Sequence, residues 1–158
     1  MFLAVTWKEI CADPSLRDLP YKVETNRRDQ LVLSPRPARH GEMRAVIGLL
    51  LGRAQLSDRV VLGCPVQTVA GVCVPDVVWT SPERRQSVIY TLAPEICIEV
   101  LAPYNDDEEM AEKRALYFAA GALEAWICAE DGLMAFHGPA GRLERSALCP
   151  DFPARVEI

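Results

Sequence analysis

The chain has 158 residues, half of them hydrophobic, and a formal net charge of −5 at neutral pH. This length and composition predict a single domain over residues 1–158 with a real hydrophobic core. The acidic balance argues against strong non-specific binding to nucleic acid, which depends on cationic charge. No apolar run approaches the length of a membrane span.

Residues 1–5 are apolar, but they are too few for the core of a signal peptide and lack a basic leader. We therefore expect a cytoplasmic protein. The six cysteines are widely scattered, without the close pairs that structural zinc sites use. We interpret them as reduced core residues, because free cysteine is among the most buried residue types.

The first elements are a short helix and a hairpin. Thr6 and Glu9 have the spacing of a capping box, which predicts a helix that ends before Asp13. Residues 21–25 and 31–34 are extended runs around a polar turn, the pattern of a hairpin. Glu24 lies on the first arm, either as part of a site or as an acid at a solvated sheet edge.

The first long helix is predicted over residues 40–55, where apolar residues recur at helical spacing. Arg36, Arg39, His40 and Arg44 gather around its start as the only dense cationic cluster of the sequence. A phosphate could bind there, because cationic side chains would join the free N–H groups of the helix end. A solvated surface patch explains the cluster equally well.

Two acids then stand where a β pattern calls for apolar residues. Residues 72–79 predict a strand, yet they contain Asp76, and Asp is among the poorest strand residues. Residues 94–101 predict the buried central strand, and they contain Glu99. A charge among apolar neighbours is costly unless it is bound, and a metal ion can compensate several acids at once. A further acid and a cation could then complete a site.

A second long helix is predicted from about residue 108 to residue 120, with Gly121 as its stop. Lys113 shares one helical stripe with Met110 and Tyr117, so it occupies a position that calls for an apolar residue. Lys113 either points into a site, reaches out to solvent, or pairs with Glu109.

Short strands dominate the remaining chain. Strands are predicted at residues 60–62 and 66–69 before the central strand. After the second helix they are predicted at residues 125–129, 133–137 and 143–146, with an edge strand at residues 155–158. The order of elements indicates an α/β or α+β fold, a sheet with helices packed on it.

These residues, taken in order, resemble the Uma-type restriction endonuclease family of the PD-(D/E)XK nuclease superfamily. The resemblance is carried by the step Pro75-Asp76, by the run from Ile98 to Pro103 and by Lys113 with Tyr117, along with the hairpin around Glu24. It covers nearly the whole chain. It implies a restriction-endonuclease-like core, in which a mixed central sheet is flanked by helices and acids on two neighbouring strands bind magnesium.

Carried over residue by residue, Asp76 and Glu99 match the metal-binding acids of the family, and Glu24 matches its upstream acid. The superfamily lysine would stand two residues after Glu99, where this chain has Leu101. Lys113 matches a helical lysine of the family and would supply that cation instead. The hairpin turn also lacks the usual Asp-Gly, Ala102 replaces a common Ser, and Ala129 stands in place of an Asp.

We expect from this resemblance a DNA endonuclease that uses Mg²⁺, with Mn²⁺ as a substitute. Asp76 and Glu99 would hold the ion, Lys113 would orient water or stabilise the phosphate, and Glu24 would assist the ion. Arg36, Arg39 and His40 would contact the nucleic-acid backbone. A homodimer would suit cleavage of both strands of a duplex. The alternative is an inactive member that keeps the fold to bind nucleic acid or a protein partner.

Overall fold

The computed structural model describes residues 6–56 and 59–158, so the apolar stretch of residues 1–5 lies outside the described part. In chain order the elements are α1 (Trp7–Ala12), β1 (Tyr21–Thr25), β2 (Leu31–Pro35), α2 (Ala38–Leu51), a π-helical turn (Gly52–Leu56), β3 (Val60–Leu62), β4 (Val66–Thr68), β5 (Gly71–Cys73), β6 (Val77–Trp79), a 3-10 turn (Pro82–Arg84), β7 (Ile96–Val100), α3 (Asp107–Ala119), β8 (Glu124–Cys128), β9 (Met134–Gly138) and β10 (Gly141–Leu143).

A six-stranded mixed sheet forms the centre, in the order β10-β9-β8-β7-β6-β3. β7 and β8 run parallel, with Ile98 opposite Trp126, and the other neighbours are antiparallel. The parallel pair needs a crossover, which α3 supplies between β7 and β8. The hairpin β1-β2 and the pair β4-β5 form two small additional sheets. The fold is therefore the expected mixed α and β architecture with helices on a central sheet.

The two faces of β7 bury different neighbours, because side chains alternate along a strand. Ile96, Ile98 and Val100 belong to the same apolar cluster as Met43 and Ile47 of α2. Cys97 belongs to a second cluster, with Leu116 and Tyr117 of α3. Glu99 shares the face of Cys97, so its carboxylate points to the layer that contains α3 and the β1-β2 hairpin.

Local signals placed several boundaries correctly. The capping box of Thr6 and Glu9 is present, and Asp106 caps α3 by accepting a hydrogen bond from the Glu109 N–H at 2.7 Å. Gly121 ends this helix region with a φ of 106°, which a glycine adopts without strain. All six cysteines are free, and Cys11 is the exposed exception to the expected burial.

Three predicted strands differ in the structure. The strand predicted at residues 143–146 lies nearer the N-terminus and forms β10 over Gly141–Leu143, so only Leu143 is shared. The run over residues 72–79 divides into β5 and β6, so Asp76 lies just before β6 rather than inside a strand. Pro75 interrupts the run because proline has no N–H to donate to a ladder. Residues 155–158 form no strand, and Arg155 makes only an isolated bridge to Leu133. Among the described residues, no helix combines the length and apolarity that a membrane crossing requires.

Candidate active site

Three carboxylates from separate parts of the chain meet on the α3 side of the sheet. Glu24 comes from β1, Asp76 from the segment before β6, and Glu99 from β7. Their residues are only 6%, 2% and 2% exposed. The backbone pairing of β6 with β7 brings the last two together, since the Asp76 N–H donates to the Ile98 carbonyl at 2.9 Å. The acids predicted to form one site are thus brought together, and Glu24 is not an acid at a solvated edge.

An ammonium group that the sequence analysis did not single out lies among these acids. Lys22 Nζ is 3.2 Å from Glu99 Oε2, 3.4 Å from Asp76 Oδ1 and 3.6 Å from Glu24 Oε1. The Lys22 side chain is 8% exposed. Alternation along β1 was the available signal, because Lys22 and Glu24 must share a face of the strand. An inward Glu24 therefore requires an inward Lys22.

Lys113 provides a second ammonium group from α3. Its Nζ is 3.1 Å from Glu24 Oε1 and 3.3 Å from Glu99 Oε1. The distance to Glu99 meets the expected ion-pair distance of about 4 Å or less. Glu109, the alternative partner of Lys113, instead accepts a hydrogen bond from Asn105 at 3.0 Å. The catalytic role of Lys113 remains a prediction.

Glu99 and Glu24 are also fixed by hydrogen bonds. The Tyr117 hydroxyl, one helical turn from Lys113, donates to Glu99 Oε1. The Val74 N–H donates to Glu24 Oε1 at 2.7 Å. This bond ties the hairpin to the segment that leads to Asp76. These hydrogen bonds therefore constrain the orientation of both carboxylates in the metal-free protein.

Asp76 has several hydrogen-bond and cationic partners, which offset its repulsion with Glu99. Its Oδ2 receives the Val100 N–H at 2.8 Å and lies 3.2 Å from His40 Nε2. Arg36 Nη2 is 3.8 Å from its Oδ1. Lys22 and Arg36 thus pair with Asp76, and the structure favours Asp76 as a hub of hydrogen bonds and ion pairs.

The pKa shifts follow from burial and from these cations. Burial raises the pKa of Glu24, but Lys22 and Lys113 outweigh it and hold the pKa below its ordinary value. The pKa of Asp76 is likewise lowered, against burial, by Lys22, His40 and Arg36. Burial raises the pKa of Glu99 above its ordinary value, because the two lysines do not fully offset it. Burial lowers the pKa of Lys113, but Glu99 and Glu24 raise it above its ordinary value.

The predicted phosphate contacts separate in the structure. Arg36 stays beside the acids, and its Nη1 donates to the Tyr104 hydroxyl at 2.5 Å. His40 is 3% exposed and its Nε2 lies 3.2 Å from Asp76 Oδ2, while its contact with a nucleic-acid backbone stays a prediction. Arg39 is exposed and donates to the Glu130 carbonyl at 3.3 Å, in the turn between β8 and β9. Arg36 and His40 both contact Asp76, but only the Arg36 side chain is partly exposed.

Two clefts reach the acid cluster from different sides. The first, here called the cationic cleft, has a volume of about 520 Å³, and the described charged residues that line it are Arg17, Lys22, Arg36, Arg44 and Asp76. Arg44 also donates to the Asp76 carbonyl at 3.3 Å. The second cleft, of about 370 Å³, has balanced charges among its described residues: Glu24, Arg27, Arg28, Glu109, Glu112 and Lys113. A polyanion would be attracted more strongly by the cationic cleft.

Carboxylate oxygens are the ligands that Mg²⁺ prefers, so the donor chemistry of Glu24, Asp76 and Glu99 fits this ion. The Lys22 ammonium shows that a cation is accommodated where oxygens of all three acids meet. Among residues 6–56 and 59–158, however, no three acidic, histidine or cysteine side chains already converge closely enough to hold an ion. Magnesium–oxygen distances are about 2.0–2.1 Å, so the acids would have to close in and Lys22 would have to leave.

Comparisons with known proteins identify the family and the fold of the chain. The Uma2 family, described as "Putative restriction endonuclease", matches residues 13–153, which include all three acids and both lysines. The crystal structure of a "putative nuclease belonging to DUF820" from Anabaena variabilis is similar, with a TM-score of 0.68 and 16% identity over 85% of this chain and 80% of that chain. At this identity the similarity shows a common fold. No curated protein matches the chain. The chain therefore belongs to the Uma2 family.

Proposed function

We propose that the protein is a magnesium-dependent endonuclease that hydrolyses phosphodiester bonds in DNA, with Asp76 and Glu99 as the metal ligands and Mn²⁺ as a substitute. The observation that carries the proposal is the meeting of three buried carboxylates with two ammonium groups at the end of a cationic cleft. Buried acids are costly to maintain for stability alone. A ligand that needs them explains their presence.

When bound, the ion would acidify a water molecule and stabilise the charge that develops on the phosphate. The protein supplies the positions of the other groups. Val100 and His40 form hydrogen bonds to Asp76, and Tyr117 forms one to Glu99. These bonds constrain the orientation of both carboxylates. Such preorganisation is the main contribution of a protein to phosphoryl chemistry.

Lys113 stays protonated because Glu99 and Glu24 raise its pKa. A protonated lysine cannot accept a proton from water, so we assign it the stabilisation of negative charge on the phosphate rather than the role of general base. Glu24 fixes this ammonium through contacts of 3.1 and 3.3 Å. Glu24 therefore acts on the reaction mainly by positioning Lys113.

The cationic cleft is the proposed path of the DNA backbone. Arg36 and Arg44 line it next to Asp76, so a phosphate between them would lie beside the acid cluster. The overall negative charge of the chain makes such a local concentration of cations necessary for binding. Arg39 lies outside this path and is not part of the proposal.

A cleavage assay tests the proposal. Supercoiled plasmid DNA is incubated with the protein in Mg²⁺, in Mn²⁺ or in EDTA, and nicked and linear products are quantified. Glu99→Gln should lose cleavage, because a neutral amide replaces a metal-binding carboxylate. Glu144→Gln is the matched control, since Glu144 is exposed and follows β10 at the far edge of the sheet. Equal cleavage by Glu99→Gln and the wild type would refute the assignment.

A second candidate function is a nuclease-fold protein that binds nucleic acid or a protein partner without catalysis. The specific observation in its favour is Lys22, whose ammonium already compensates the acids that a metal would need. This alternative predicts DNA binding that is unaffected by EDTA and no cleavage with either metal. Measurement of DNA affinity by fluorescence anisotropy beside the cleavage assay separates the two functions.

A further inference from the structure

Lys22 holds the position in which a cation contacts all three acids. Its Nζ lies between 3.2 and 3.6 Å from one oxygen each of Glu24, Asp76 and Glu99. Lys113 contacts Glu24 and Glu99 at 3.1 and 3.3 Å. Lys22 is thus the ammonium that links Asp76 to the other two carboxylates.

This ammonium and a divalent ion cannot share the acids. Both are cations, so their repulsion in a buried site would be strong. The ion also requires oxygen ligands at about 2.0–2.1 Å, whereas an ammonium at its present distance holds the carboxylates further apart. Binding of the ion to Asp76 and Glu99 therefore requires that the Lys22 ammonium leave them.

The fold provides a place for the displaced side chain. Lys22 lines the cationic cleft of about 520 Å³, together with Arg36 and Arg44. A lysine has a flexible four-carbon stem, so its ammonium can move while β1 remains paired with β2. In the cleft its charge would add to that of the two arginines.

We propose that Lys22 is a built-in competitor of the metal ion: its ammonium occupies the shared position in the metal-free protein, and a divalent ion enters as Lys22 withdraws into the cationic cleft. The exchange keeps the acids compensated in both states. The exchange also couples metal binding at the acid cluster to phosphate binding in the cationic cleft. When the metal binds, the Lys22 ammonium moves into the cleft and adds a positive charge that attracts phosphate. The inference rests on the proposed function for the identity of the ion and for the ligand role of Asp76 and Glu99.

Lysine labelling of the wild-type protein tests the movement directly. The sequence contains three lysines, Lys8, Lys22 and Lys113, so an amine-acylating reagent followed by mass spectrometry reports on each one. Without metal, the exposed Lys8 should react and the buried Lys22 should be protected. With saturating Mn²⁺, Lys22 should react several-fold faster while Lys8 is unchanged. Protection of Lys22 that persists when Mn²⁺ is bound would overturn the inference.

Calorimetry of variants tests the competition. Lys22→Met removes the competitor and should tighten Mn²⁺ binding by at least about tenfold, which corresponds to about 1.4 kcal/mol. Lys113→Met is the matched control, because it removes an equal charge from two of the same acids but leaves the Lys22 position filled. Its gain in affinity should be smaller. Equal gains in the two variants, or no gain in Lys22→Met, would contradict the competition.

The folding of Lys22→Met provides an additional measurement. Without Lys22 the acids lose a buried counter-charge, so we expect the variant to be less stable without metal and to recover on addition of Mn²⁺. Its melting temperature should therefore rise more with Mn²⁺ than that of the wild type. If the variant does not fold under either condition, the labelling of the wild type decides.

These outcomes are distinguishable from failure of the proposed function. Metal-dependent cleavage by a protein whose Lys22 stays protected would refute the competition and leave the endonuclease proposal intact. Tighter Mn²⁺ binding by Lys22→Met than by the wild type, with no cleavage by either protein, would support the competition. That second result would refute magnesium-dependent activity of the natural chain.

Discussion

Replacement of Asp76 by asparagine examines what the acid cluster contributes to the stability of the metal-free protein. Two acids near each other suggest that loss of one charge would relieve repulsion and leave stability unchanged or improved. The structure indicates the opposite result. Asp76 has Lys22 at 3.4 Å and Arg36 at 3.8 Å as attractive charged partners, and His40 Nε2 lies within hydrogen-bond distance at 3.2 Å.

The expected magnitude follows from burial. Removing one partner of a buried ion pair costs about 3–5 kcal/mol. We expect the lower end, about 3 kcal/mol, because Lys22 would retain Glu24 and Glu99 as partners. The Asn side chain also provides a weaker acceptor for the Val100 N–H than the carboxylate does. For a chain of this length the melting temperature should fall by roughly 6–12 °C.

The assay is urea unfolding at several pH values in EDTA. The pKa of Asp76 is lowered in the folded state, so its stabilising effect is present above the unfolded pKa of about 3.9 and is lost as the pH falls below it. The difference in unfolding free energy between wild type and Asp76→Asn should therefore narrow as the pH falls below about pH 4. Asp131→Asn is the control, because its pair with Arg155 at 3.0 Å is solvent-exposed and should contribute little to stability.

Unchanged or increased stability of Asp76→Asn at pH 7 would refute this reasoning. It would mean that repulsion among the three acids outweighs their attraction to the lysines. A loss as small as that of Asp131→Asn would likewise show that the buried contacts of Asp76 contribute no more than a surface pair.

Three further predictions concern the metal, the second lysine and the cleft. Mn²⁺ should raise the melting temperature of the wild type, and the double variant Asp76→Asn with Glu99→Gln should lose that rise; an equal rise in both proteins would exclude these ligands. Lys113→Met should lose DNA cleavage in the plasmid assay but retain Mn²⁺ binding in calorimetry. The variant should also be less stable, because Glu24 and Glu99 lose a buried partner. Cleavage by Lys113→Met at the wild-type rate would contradict the catalytic role of Lys113. Arg44→Ala should weaken DNA binding and reduce the slope of log affinity against log salt concentration by about one unit, whereas Arg39→Ala should not. Anisotropy titrations in increasing salt measure both variants. Equal effects of the two substitutions would contradict the assigned path.

Local patterns in the sequence were informative where one element decides the outcome. The capping box predicted the start of α1, and the apolar run of residues 94–101 predicted the buried strand β7 that carries Glu99. The helical stripe of Met110 and Tyr117 indicated that Lys113 occupies a position that calls for an apolar residue, and both of these neighbours are buried. These inferences need only the periodicity of a helix or strand, which is a property of neighbouring residues.

Local patterns were less informative at Asp76 and in the cationic cluster. Asp76 was assigned to a strand because valines surround it, but Pro75 and the contact of Val74 with Glu24 interrupt that strand. Arg36, Arg39 and His40 are close in sequence, yet one lies at the cleft, one is exposed near Glu130, and one is buried against Asp76. Helical turns separate the directions of nearby side chains, so proximity along the chain did not make them one site.

By itself, the sequence determined which residues are hydrophobic and periodic enough to form the sheet and its helices, and which acids would be expensive to bury among them. Only the tertiary structure decided which charge compensates those acids. Lys22 contacts Asp76 and Glu99 across 54 and 77 residues of chain, through the packing of the hairpin against β5. Ion pairing depends on distance in space, and that distance is established only when separate elements pack together.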